Sequence, residues 1–217
     1  MKRQVVEKLG RENLLSDLPG FVITRGIIHK TPIAGLLRGF WFDSSAFDKH
    51  AAYVYVFVQP LYVPSEGLSL TFSRRLEFPL GLLRSSERWD LPPEKWEEVV
   101  PALRRAMIRD GLPFLRKRDS IELFVRNLRY GFRVENTFFD REALAYSLAW
   151  LACYREAAWR LKWLIRSIKP DDPWRAAREN AEQLLRAIRT GPESAKELLR
   201  RWEEETSRHL YLGEWLR

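Results

Sequence analysis

One cysteine, two methionines, four asparagines and three glutamines are all that a 217-residue chain holds of these four residue types. A lone Cys153 cannot close an internal disulfide, which separates the chain from small secreted folds stapled by several and points to a reducing compartment. Flanked by Ala152 and Tyr154, it is expected as a small buried hydrophobe. No apolar run approaches the ~20 residues of a membrane-spanning helix; the longest are Ala51–Val58 and Ala143–Cys153, the second interrupted by Tyr146 and Ser147. The N-terminal MKRQVVEKLGRENLL is charged and amphipathic, without the apolar core and small-residue cleavage site of a signal peptide. A cytoplasmic location and no membrane partner are therefore expected. The scarcity of heat-labile residues, with Arg outnumbering Lys 28 to 9, fits a thermophilic protein and equally a GC-rich genome.

Also missing are GxxxxGK, GxGxxG after a strand, GxSxG, HExxH and CxxC, the motifs that cradle phosphate, expose a serine or chelate zinc. Without them no metal and no cofactor are expected, and the enzyme reading weakens.

What is present is a globular composition, 46% hydrophobic and 13% aromatic. The densest β-former run is Ala51–Val63, AAYVYVFVQPLYV. Tyr53, Tyr55 and Phe57 point to one face and Val54, Val56 and Val58 to the other, so the run is expected as a central strand covered on both faces. Phe21–His29 and Leu36–Asp43 read as strands joined by the Pro- and Gly-containing turn Thr31–Gly35. Pro64-Ser-Glu-Gly67 is a turn leading to a returning strand, Leu68–Arg75, whose Ser69, Thr71 and Ser73 make a wet face. Short loops without crossover helices give an antiparallel meander.

Helical spacing precedes the sheet at Lys2–Leu15 and takes over after Glu77. A segment opened by Pro92 and Pro93 should kink or split at Pro101 and end at Gly111. Asp119-Ser-Ile-Glu122 resembles a capping box with Asp as the cap. A helix from Asp140 to about Leu151 and another over Tyr154–Ile168 carry Trp150, Trp159 and Trp163 and should be central to the helical layer. Asp172-Pro173 and Gly191 bracket a further helix, Pro192 opens the last, and the terminal Trp215 and Leu216 are expected to dock on the body. The corner Leu151-Ala-Cys-Tyr-Arg-Glu-Ala157 is similar to that of a tetratricopeptide hairpin over about 28 residues, with an alanine where that family prefers glycine, and no 34-residue repeat follows. The expected fold is α+β: a four-stranded antiparallel meander with an N-terminal helix and a C-terminal layer of about five to six helices. Residues 1–90 hold the sheet and 91–217 the helices, in one domain or two docked halves.

Three sites emerge. Asp43, Asp48 and His50 fall within eight residues of the loop before the central strand, with Arg38 on the preceding strand, and could bind a divalent metal or transfer protons in a hydrolase; turn chemistry explains them equally. Of the net charge of +8, a surplus of six lies in residues 104–133, where Arg104, Arg105, Arg109, Arg116, Lys117, Arg118, Arg126, Arg129 and Arg133 outnumber Asp110, Asp119 and Glu122. With Phe114, Phe124, Tyr130 and Phe132 interleaved, this segment could hold nucleic acid or an anionic protein, or pair internally with acids such as Glu203–Glu205. Of the three histidines, His209 falls on the apolar stripe of the last helix and reads as packed, and His29 has no evident partner. Tryptophan and tyrosine without catalytic motifs favour a non-enzymatic interaction protein with a protein partner or a second copy of itself; a nucleic-acid-binding protein is the alternative.

Overall fold

The computed structural model describes residues 3–44, 48, 50–79, 85–130, 137–169 and 172–215. The fold is α+β, and the chain divides into two compact units: Met1–Gln59 with Ser69–Asp119 and Glu214–Arg217, and Pro60–Leu68 with Ser120–Gly213. The first unit thus extends past residue 90 and takes in the helices as far as Asp119.

In the first unit, α1 (Arg3–Leu9) buries Val6 and Leu9 and runs into a π-helical turn, Gly10–Leu14. The sheet follows as β1 (Phe21–Thr24), β2 (Ile27–Lys30), β3 (Leu36–Ser44), β4 (Ala51–Pro60) and β5 (Phe72–Arg75), paired in that order. A two-residue ladder, β6 (Phe78–Pro79) with β7 (Ser85–Ser86), stands apart, and β8 (Arg88–Asp90) pairs with β4 through Ala52 and Trp89. The expected strand Phe21–His29 is in fact a hairpin. Arg25 and Gly26 both have positive φ, 49° and 82°, as the tightest two-residue turn requires. An arginine there, instead of asparagine, hid the turn. The expected strand Leu68–Arg75 is shortened at its start, because Ser69 N–H donates to Gln59 Oε1 at 2.9 Å and Ser69 Oγ meets Thr71 Oγ1 at 2.9 Å. These bonds hold the backbone in a loop.

The valine face of β4 is dry, with Val54, Val56 and Val58 fully buried. The opposite face is only partly so. Phe57 is buried, but Tyr53 and Tyr55 are half-exposed beneath the Arg75 guanidinium, 4.6 and 5.3 Å from the two ring centroids, and Arg75 Nε donates to Tyr55 Oη at 2.7 Å. Pairing Ile28 with Phe40 and His29 with Gly39 puts Ile28, Phe40, Lys30 and Arg38 on one face. The helical turns approach that face closely through glycine: a Cβ on Gly10 would stand 2.6 Å from Ile23 Cδ1, and one on Gly111 would stand 2.5 Å from Phe40 Cε1.

Helix α2 (Trp96–Ala106) runs through the exposed Pro101 without splitting and continues by a second π-helical turn, Met107–Gly111, into α3 (Leu112–Arg116). Beyond α3, Asp119 accepts from Arg38 and, at 2.8 Å, from Lys30. Asp119 is therefore occupied, and Ser120 caps the next helix in its place, its Oγ accepting from Leu123 N–H at 3.3 Å.

The second unit contains α4 (Ile121–Tyr130), α5 (Phe138–Trp150), α6 (Tyr154–Ser167), α7 (Arg175–Thr190) and α8 (Pro192–His209). α5 opens on a capping box in which Thr137 and Asp140 exchange hydrogen bonds, and it packs on α4, α6 and α8. It is the central helix, and its run Ala143–Ala149 is buried without a break. The segment Pro60–Leu68 inserts Tyr62 among these helices, stacked on Trp150 at 4.7 Å with its hydroxyl 2.7 Å from Ser147 Oγ.

Candidate functional site

The helical unit leaves aromatic rings uncovered. α6 was expected to be wrapped, yet Trp159 is 63% exposed and Trp163 40%. They stand one turn apart, on the same side of the helix. α6 packs against both α5 and α7, and Phe138, Phe139, Arg141 and Trp174 stand at the starts of those two helices. The Arg141 guanidinium lies 4.1 Å from the Trp163 ring centroid. Trp174 stacks on Phe138 at 5.3 Å and meets Phe139 edge-on at 5.1 Å, and Phe139 and Trp174 are themselves exposed. The result is an open aromatic surface with cations over two of its rings, Arg141 over Trp163 and Arg160 over Trp159. Its helix α6 carries Arg155, Arg160, Lys162 and Arg166 against the single acid Glu156.

Cys153 belongs to this region and is exposed, not buried. It ends the α5–α6 corner, where a shallow depression is lined by Ala152–Glu156 and Trp159. A second, more polar cleft lies between α4 and α6. Arg129 and Arg160 both bind the Glu156 carboxylate there.

The described cations of the basic segment are held in different ways. Arg104 is held by the carbonyl of Asn13 at 2.6 Å and by Asp17 at 3.1 Å. Arg109 pairs with its neighbour Asp110, Arg118 covers the Phe114 ring at 3.9 Å, and Arg129 pairs with Glu156. Arg105, Arg116, Lys117 and Arg126 are exposed. The first six belong to the first unit and Arg126 and Arg129 to the second; Arg133 lies outside the described residues, as does Phe132. Phe124 is buried and Tyr130 is 78% exposed. Asp17, Asp110 and Glu156 are among the internal partners of these cations, and Glu205 lies 3.9 Å from Arg201 within its own helix.

At the loop before β4, Asp48 accepts from the backbone N–H of His50 at 2.9 Å and from Arg88 at 2.6 Å, and these hold its carboxyl below the usual range. Its geometry is that of a turn entering the strand. Asp43 is the last residue but one of β3, exposed, and Arg38 is committed to Asp119. Among the described residues no three His, Cys, Asp or Glu side chains gather as a metal site, and no helix is long and apolar enough to cross a membrane.

The histidines fall differently from expectation. His29 is fully buried with Nε2 3.1 Å from Thr24 Oγ1, and burial lowers its imidazole to about 4. His209 is exposed and bonds the carbonyl of Ser65 at 3.2 Å; the last helix turns Thr206 and Ser207 inward instead. Trp215 and Leu216 carry no described side-chain placement. Sequence reasoning assigned α6 to the interior because aromatic residues are core by default; the signal it passed over was the four cations interspersed with the tryptophans. Compared with protein-family models, with curated proteins and with solved structures, the chain matches none of them.

Proposed function

We propose that the protein is a non-enzymatic interaction module whose helical unit binds an acidic, apolar-bearing segment of a partner protein across the exposed rings of α5, α6 and α7. One observation carries the reading: Trp159 and Trp163, one turn apart on a basic α6, and Phe139 with Trp174, in contact at the starts of α5 and α7, all stay exposed, and Arg141 of α5 lies over Trp163. Aromatic and arginine side chains supply most of the binding energy at protein interfaces, and clustered exposed rings mark contact surfaces. The surplus of cations selects an acidic partner. A second copy of this chain fits less well, because a net charge of +8 repels itself.

A fluorescein-labelled peptide of alternating Glu and Leu serves as the probe, read by anisotropy over a salt series. Trp163→Ala and Trp174→Ala should each weaken binding about tenfold with little change in melting temperature. Nucleic acid is the second reading, favoured by the exposed Arg105 and Arg116 of the first unit. A labelled oligo-dT that bound more tightly than the peptide, and lost affinity on reversing Arg116, Lys117 and Arg118 to Glu, would establish that reading instead. Binding of neither probe at low salt removes both.

A further inference from the structure

We infer that the cleft between α4 and α6 is the subsite that takes a carboxylate of the acidic partner, an inference that rests on the interaction surface proposed above. The cleft has a volume of about 390 Å³ and is lined by Leu128, Arg129, Tyr130, Leu144, Glu156 and Arg160. Two guanidiniums share one carboxylate in it. Arg129 Nη2 bonds Glu156 Oε2, and Arg160 donates from Nε and Nη2 to Glu156 Oε1 at 3.1 and 3.0 Å. One positive charge is left over. A guanidinium presents five N–H donors in a planar fork, so Glu156 uses a minority of those the pair offers. The arginine side chains are 32% and 27% exposed, which leaves them reachable from solvent.

Position and charge define the ligand. Arg160 lies 5.6 Å from the Trp159 ring centroid, so its guanidinium is fixed between an acid and a ring, and the cleft opens beside the most exposed tryptophan of the proposed surface. Tyr130, 78% exposed, forms part of the rim. A surplus of a single charge matches a carboxylate, whereas a phosphate monoester carries about −1.5 to −2. Arginine forks bind carboxylates through paired N–H bonds. An Asp or Glu side chain of the partner would lie across the two arginines while its apolar neighbours lie on Trp159 and Trp163.

A merely structural tie between α4 and α6 and a carboxylate subsite predict opposite effects at Glu156. The same Glu-Leu peptide is the probe, with a Gln-Leu peptide as control. Arg129→Met with Arg160→Met should lower affinity for the Glu-Leu peptide about tenfold or more and abolish its advantage over the Gln-Leu peptide. Glu156→Gln frees both guanidiniums and should raise affinity several-fold, and acetate should compete better than inorganic phosphate. If Glu156→Gln weakens binding, if the double arginine variant binds as the unmodified protein does, or if phosphate competes better, the subsite is refuted. When Trp163→Ala abolishes binding and the arginine variants do not, the surface stands without the subsite. When none of the substitutions matters, both fall.

Discussion

Glu142 and Tyr146 stand one turn apart in α5, both buried, and the Tyr146 hydroxyl has no hydrogen-bond partner among the described residues. Side chains at this spacing are neighbours on a helix. Burial pushes the Glu142 carboxyl up to about 7, and burial with the nearby Glu142 charge pushes the Tyr146 hydroxyl well above its ordinary range. The folded unit therefore favours protonated Glu142.

That preference fixes a pH dependence. From about 4.3, where an unfolded glutamate titrates, up to about 7, the unfolded chain has lost a proton that the folded chain keeps. Stability falls as pH rises through this window and is level above it. His29 acts oppositely in the first unit. With its folded value at about 4, the unfolded chain binds a proton the folded chain does not up to about 6.5, so stability rises with pH over that range. Each effect is worth roughly 2–4 kcal/mol. Urea denaturation at about pH 5 and about pH 8 should show Glu142→Gln more stable than the unmodified protein at the higher pH and with most of that advantage gone at the lower. Parallel pH profiles for the two would mean that the carboxyl is solvated.

Tyr62 enters the helical core as a ring and a hydroxyl, and the two contributions separate by mutation. Ser147 Oγ also donates to Ala143 O at 2.6 Å, so Tyr62→Phe leaves that serine bonded and should cost about 1 kcal/mol. Tyr62→Ala removes the ring stacked on Trp150 from a fully buried site and should cost about 3–5 kcal/mol. Equal losses for the two variants, measured by chemical denaturation, would show that the hydroxyl and not the packing holds this segment.

What the sequence displays is set by range. The two-faced apolar pattern of β4 and the stripes of α2, α4 and α7 are local periodicities, and the α+β fold follows from them. The Arg25–Gly26 turn was hidden because a two-residue hairpin leaves no gap in a β-rich run, and arginine is not a turn residue. The tryptophans of α6 were misplaced for a different reason: a helix apolar on several sides does not say which side its neighbours cover. The α4–α6 cleft depends on Arg129 meeting Glu156, 27 residues away, and no spacing rule connects them. Asp119 looked like a helix cap until Lys30 and Arg38, distant in sequence, claimed its carboxylate.

Gly111 should tolerate no side chain. Its added Cβ would meet Phe40 Cε1 at 2.5 Å and Cζ at 2.9 Å, and the Phe40 ring is fully buried, so it does not swing aside into solvent. Gly111→Ala should lose about 1–3 kcal/mol from overpacking. Gly67 has no atom within 4 Å of the same added carbon, so Gly67→Ala should be neutral or gain about 0.4–1 kcal/mol through the unfolded chain. Denaturation midpoints of the two variants decide it, and a neutral Gly111→Ala would place the π-helical turn farther from the sheet.

Two helices end on residues that pay a conformational penalty glycine would avoid. At the end of α5, Cys153 N–H donates to Leu148 O at 2.8 Å and Ala152 N–H to Ala149 O at 3.0 Å, with Ala152 at φ 58°. At the end of α8, Leu212 N–H donates to Ser207 O at 2.8 Å and Tyr211 N–H to Arg208 O at 3.0 Å, with Tyr211 at φ 59°. Both are the paired-bond helix stop whose left-handed position is usually glycine. A side chain there costs roughly 1–2 kcal/mol, partly offset by the greater freedom glycine gives the unfolded chain. Ala152 and Tyr211 are exposed, so little packing is lost at Ala152 and only part of a ring at Tyr211. Ala152→Gly should therefore stabilise the helical unit by about 0.5–1 kcal/mol, and Tyr211→Gly by less. Thermal melts of both variants give the test: a lower melting temperature for Ala152→Gly would mean that the corner does not adopt the left-handed stop.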